Sequence, residues 1–164
     1  MSKSSLKIKI FSNGFGEDNI ACNLIKELKK KENQPALSII PLVGPGLEYK
    51  KLGLAPLIEN PTFPSGGFLR DIKTILKDIK AGLISHFFKQ VTFIRALPQD
   101  QDYTIAVGDF FCLFMSKLNN QKPIYFLPTA KSDLFMKHYS IETHFIKKWA
   151  TAVFPRDLLT TKAL

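Results

Sequence analysis

Lys7–Asp18, KIKIFSNGFGED, decides how this chain is read. Lys7-Ile8-Lys9-Ile10-Phe11 alternates charged and apolar side chains, as a strand does when its two faces differ, and a buried first strand is the simplest reading. Asn13-Gly14-Phe15-Gly16 then supplies residues that tolerate positive φ and close backbone approach. Glu17 and Asp18 fall in the first turn of a helix, where the macrodipole favours acids. Such a strand-turn-helix leaves backbone N–H groups free at the top of a sheet, in the crevice where open α/β folds hold ligands, phosphates and carboxylates above all. A plain turn uses the same glycines. Gly-x-Gly here lacks the third glycine of the dinucleotide fingerprint, and no Walker lysine follows.

At 164 residues the chain is read as one domain spanning 1–164, large enough for a real core. Its 23 basic and 14 acidic residues give a net charge of +9, which calls for an anionic partner: nucleic acid, an anionic membrane surface or a phosphorylated substrate. Cys22 and Cys112 lie far apart without CxxC spacing, so they are expected to pack as small apolar residues in a reducing cytoplasm rather than to form a disulfide or a zinc site. The amino terminus has neither a long apolar run nor a small-residue cleavage site, and no stretch of 18 uninterrupted apolar residues occurs; neither a signal peptide nor a transmembrane helix is expected.

Along the chain, Ile20, Ala21, Leu24, Ile25 and Leu28 recur at helical spacing, and the helix should stop near Asn33. Leu37–Val43 reads as a second strand, Leu47–Gly53 as a short helix and Ala55–Glu59 as a short third strand, Pro41 and Pro56 arguing for edges or strand ends. Asn60–Gly67 is a loop on the same rim as Asn13, either an ordinary connection or a substrate loop in which Ser65, Gly66 and Gly67 permit close contact. Phe68–Arg95 carries a wide apolar stripe with Gly82 as a break between two helices. Arg70, Lys73, Lys77, Lys80, Lys89 and Arg95 outnumber Asp71 and Asp78 there, a pattern that fits either core packing or contact with an anionic bilayer. His86 reads as a boundary residue.

Tyr103–Val107 is a strand of the buried parallel type, followed by Gly108-Asp109 and the apolar helix FFCLFMSKL. Asp109 thus stands at a strand's carboxyl end, either capping the helix or serving as a general base. Ile124–Leu127 is the next strand, and Thr129, Lys131 and Ser132 in the loop after it offer one cation and two hydroxyls. Glu142–Trp149 is a helix, Thr151–Phe154 a last strand, and a final helix begins at Pro155; His138 and His144 take surface roles, and no metal site is expected. The alternation predicts an α/β fold: a Rossmann-like, mostly parallel sheet with helices on both faces.

Six strings in order, SNGFGED (12–18), PLVGPGLEYKKLG (41–53), PTFPSGGF (61–68), VGDFF (107–111), TAKSD (129–133) and FPRD (154–157), resemble the amino-terminal half of the lipid-A-disaccharide-synthase-related proteins, which belong among the GT-B glycosyltransferases. The resemblance covers essentially the whole chain. It implies the acceptor-side half of an inverting transferase that works without a metal or cofactor, with a nucleotide sugar as donor substrate bound mainly by a carboxy-terminal domain missing from these residues. It also implies a lipid or glycolipid acceptor, docking of Phe68–Arg95 on the cytoplasmic membrane face, and no activity for this half alone. On the resemblance Asp109 is the base, and Asn13, Gly14 and Gly16 match the loop that faces the donor phosphates and the reaction centre; Phe15 and Glu17 of the same turn, with Ser65, Gly66, Gly67, Thr129, Lys131 and Ser132 of the rim loops, complete the expected substrate-binding set. The turn departs from the synthases' own glycine-rich sequence, so sugar and acceptor stay open. A non-enzymatic α/β ligand- or membrane-binding module is the alternative; nucleic acid is not expected, because no aromatic-interleaved basic motif occurs.

Overall fold

The computed structural model describes residues 5–61, 72–119, 123–129, 131–132 and 138–164. Strand β1 (Lys7–Ser12) lies inside a five-stranded sheet, hydrogen-bonded on one side to β2 (Ala36–Pro41) and on the other to β3 (Tyr103–Gly108). Beyond β3 come β4 (Ile124–Pro128) and the two-residue β5 (Ala152–Val153), and every pairing is parallel, in the order β2-β1-β3-β4-β5. The fold is α/β and Rossmann-like, as the alternation predicts.

Side-chain alternation along the strands separates two cores. Ile8, Ile10, Ile39, Ile105 and Val107 face Ala21, Cys22 and Ile25 of α1 (Phe15–Lys29) and Tyr49 of α2 (Leu47–Lys51). Phe11, Ile40, Ala106, Ile124 and Phe126 face the opposite way, onto Ile94, Cys112, Leu113, Met115 and Ile146 of the later helices. These helices are α3 (Ile72–Lys80), α4 (Leu83–Ala96), α5 (Phe110–Lys117) and α6 (Ser140–Trp149); α7 (Leu158–Ala163) closes the chain. The leftward crossover from β1 uses one face and the rightward ones the other, so all keep one hand.

Both faces of β1 are covered, so the charged-apolar alternation does not mark a polar face. Lys9 is 3% exposed and points to the same side as Phe11. Its ammonium donates to the Pro98 carbonyl at 2.7 Å and to Gln101 at 3.1 Å, while burial pulls its pKa below the ordinary lysine value against the opposing influence of Asp100. The cysteines are free and buried, packing as small apolar groups; burial raises the Cys22 thiol to about 11 and pushes the Cys112 thiol well above its ordinary value.

Ala55–Glu59 is not a strand. Pro56 has no N–H to give, and the segment makes one backbone bond to the sheet, Leu57 N–H to the Ile39 carbonyl at 2.8 Å, which leaves β2 at the edge. Gly82 does separate two helices, with φ at 93° in the left-handed region. Residues 62–71, with Ser65, Gly66 and Gly67, lie outside the described residues.

Candidate functional site

From β1 the chain turns to β2 on one side, and from β3 it turns to β4 on the other, so the strand order reverses between β1 and β3. A crevice opens at the carboxyl ends of two such strands. Asn13 and Asp109 are the residues at its lips. Gly108 brings them together: its φ is +151°, and a Cβ placed on it would stand 2.6 Å from the Asn13 Cβ.

Of the two roles open to it, Asp109 visibly takes the cap of α5, accepting from the Cys112 N–H at 3.2 Å. Burial raises its pKa above the ordinary carboxylate value, offset in turn by the Cys112 and Phe111 N–H groups, the Asn13 side chain and the Lys131 charge. The buried Asn13 Oδ1 has no hydrogen-bond partner among the described residues, which leaves an acceptor beside the carboxylate. A hollow of about 250 Å³ lies against Asp109, lined further by Phe110, Phe111, Phe114, Lys131 and Glu142.

Lys131 is not a bare cation. Its ammonium donates to both Glu142 oxygens, at 2.7 and 2.6 Å, with the pair only 12% and 13% exposed, and lies 4.3 Å from the centre of the Tyr139 ring. Thr129 donates to Glu17 at 3.4 Å, tying the β4 tip to the first turn of α1, and Arg156 donates to the Thr129 carbonyl at 3.0 Å. Ser132 is 5% exposed and donates to Asp157 at 2.7 Å. Asp157 caps α7 through Thr160, and these donors hold its carboxyl down to about 2.

The turn after β1 rests on a buried polar chain. Tyr49 O–H donates to Ser12 Oγ at 2.7 Å, and Ser12 donates to Asp18 Oδ1 at 2.6 Å. Asp18 is 2% exposed, so it does not act as a solvated first-turn acid; burial raises its pKa to about 6. A second buried chain anchors the β2 tip, where Gln90 of α4 donates to the Leu42 carbonyl and to Asn60 Oδ1, each at 2.7 Å, and Asn60 donates to the Pro41 carbonyl at 2.7 Å. Asn60 thus starts its loop at the rim.

Asn13, Asp109 and Lys131 are gathered in one place, with Glu17 and Thr129 alongside. Gly14 is the residue before α1, with φ at 120°, and Gly16 is open to solvent. Phe15 is half exposed and its ring lies against Gly44, on the β2 side of the crevice. Ser132 is spent on the α7 cap. The sequence reading singled out neither the three phenylalanines of α5 nor Glu142. The signal for the former is present: Phe110 and Phe111 directly after Gly-Asp, with Phe114 one helical turn on from Phe110, place rings beside the carboxylate. Comparison with family models, curated proteins and solved structures finds no match to this chain.

Proposed function

We propose that this chain is the acceptor-binding half of an inverting GT-B glycosyltransferase, similar to the lipid-A-disaccharide-synthase-related proteins, with Asp109 as the general base. The observation that carries the reading is the meeting of Asn13 and Asp109 across the switch point, beside a hollow that also holds Lys131. A carboxylate whose pKa burial has raised is a better base than a solvated one, provided that it stays ionised. The Asp109 carboxylate takes the proton of an acceptor hydroxyl. The resulting oxygen attacks the anomeric carbon from the face opposite the leaving group, and a new C–O bond forms as the bond from that carbon to the donor phosphate breaks. The nucleoside diphosphate leaves with the electron pair, and the anomeric configuration inverts.

The donor nucleotide sugar would be held mainly by a second domain, and the acceptor is read as a lipid or glycolipid. Support for the lipid comes from α3 and α4. Leu76, Ile79, Ile84 and Phe88 are exposed, with Lys77, Lys80 and Lys89 exposed among them, while Asp78 is buried. The same surface favours a second reading, a peripheral membrane-binding module without catalysis. No helix among the described residues is long and apolar enough to cross a membrane. Labelled sugar nucleotides and total lipid, offered to the protein with and without a donor-domain partner, test the first reading. Sugar-labelled lipid appearing only with the partner is the expected result; vesicle binding with no transfer by the pair would favour the second.

A further inference from the structure

The hollow beside Asp109 has a chemistry of its own. Its lining is part aromatic, from Phe110, Phe111 and Phe114, and part polar, from Asp109, Glu142 and Lys131. Two of the three polar groups are carboxylates, which when ionised only accept hydrogen bonds. The third is already committed: the Lys131 ammonium is bound by both oxygens of Glu142 and sits over the Tyr139 ring. An anion entering here would meet Asp109 directly and would have to displace a nearly buried carboxylate from Lys131 to gain a counter-charge. A group that donates hydrogen bonds meets no such obstacle. Size narrows the occupant further. A cavity of about 150 Å³ takes a benzene ring, and drug-sized ligands need about 300 Å³ or more. At about 250 Å³ the hollow suits one ring with a short arm.

We infer that this hollow is a subsite for a hydrogen-bond-donating head, a hydroxyl or an ammonium, carried on a flat apolar ring-sized body, and that it rejects the same body bearing an anionic head. The inference rests on the proposed reading that ligands bind at this rim, and it adds the character of the group received. The basic balance of the whole chain predicts the opposite preference; locally Glu142 cancels Lys131, the cation that lines the hollow among the described residues.

The protein's single tryptophan supplies the readout. Trp149 stacks on Phe110 with ring centres 5.8 Å apart and lies 6.4 Å from Phe114, and both phenylalanines line the hollow. Titrating the full chain at neutral pH with 2-phenylethanol, 2-phenylethylamine and phenylacetate, each followed by Trp149 fluorescence, compares neutral, cationic and anionic heads on one body. The alcohol and the amine are expected to bind at least tenfold more tightly than phenylacetate. In Glu142→Gln, where glutamine still offers an oxygen to the Tyr139 N–H that Glu142 caps, Lys131 is released and phenylacetate should gain at least tenfold. Phenylacetate binding as well as or better than the alcohol to the wild-type protein overturns the inference, whatever the variant does. Saturable binding of none of the three overturns it too, while leaving glycosyl transfer to be judged by the transfer assay, which does not depend on these probes.

Discussion

Gly108 and Asn13 stand so close that no side chain fits between them: a Cβ on Gly108 would lie 2.6 Å from the Asn13 Cβ and 3.2 Å from that of Cys112. Its φ of +151° adds a backbone cost for any other residue. Gly108→Ala should therefore lose about 1–3 kcal/mol of stability in urea unfolding. Gly16 is the control. It lies in α1 with nothing within 4 Å of an added Cβ, so Gly16→Ala should be neutral or stabilising by up to about 1 kcal/mol. Equal losses in the two variants would remove the steric account of the crevice.

Asp18 gives stability a pH dependence of definite sign. Burial lifts its pKa from 3.8 to about 6, so the folded protein holds this proton more tightly than the unfolded chain. The linked stability is present below about pH 4, is lost as pH rises through about 6, and is level above that; by linkage the loss is on the order of 2–3 kcal/mol. Asp18→Asn keeps an acceptor for Ser12 and removes the titration. Urea midpoints at pH 4.5, 5.5 and 7 should fall less steeply with rising pH in the variant than in the wild-type protein. Parallel profiles would show that Asp18 titrates as an exposed acid does.

Tyr49 and Ser12 should act as a unit. Removing the Tyr49 hydroxyl leaves Ser12 without its donor in a dry site, so Tyr49→Phe should cost about 1–3 kcal/mol. In a double-mutant cycle with Ser12→Ala the two losses should fail to add by about 0.5–2 kcal/mol. Additive losses would mean that the hydroxyls contribute independently.

The exposed apolar side chains of α3 and α4 yield a test that needs no substrate. Ile84 and Phe88 are 52% and 62% exposed, so replacing both with Glu should change stability by no more than about 0.5 kcal/mol for each residue. The protein should float with anionic vesicles, the association should weaken with salt, and the doubly substituted variant should remain at the bottom of the gradient. Flotation unchanged by the substitutions would move any membrane contact elsewhere.

The five strands of the sheet are legible as short apolar runs between turn formers, and strands alternating with helices point to helices on both faces: Ile8 and Ile10 against Phe11, and Ile39 against Ile40, part into two cores as a parallel sheet requires. Asp109 and Asn13 were readable as rim residues because strand ends are where turn formers begin. Lys9 and Asp18 were not, since a charge in sequence carries no mark of burial; the placement of the Pro98 carbonyl and Gln101 against one, and of Ser12 and Tyr49 near the other, makes their burial tolerable. Lys131 misleads for a related reason. Its partner Glu142 is on another element, and pairing across elements is decided by tertiary packing. Ala55–Glu59 has strand-like composition, yet Pro56 and a single ladder bond keep it outside the sheet.

The central claim is that Asp109 removes the proton from an acceptor hydroxyl at the β1–β3 crevice, and Asp109→Asn tests it most directly. Asn caps a helix about as well as Asp, so thermal unfolding should shift little. In the protein combined with a donor-domain partner, initial rates of sugar transfer to lipid should fall by about 10² or more, with acceptor binding retained. Transfer by the Asn variant at the wild-type rate would contradict the assignment of Asp109 as the base.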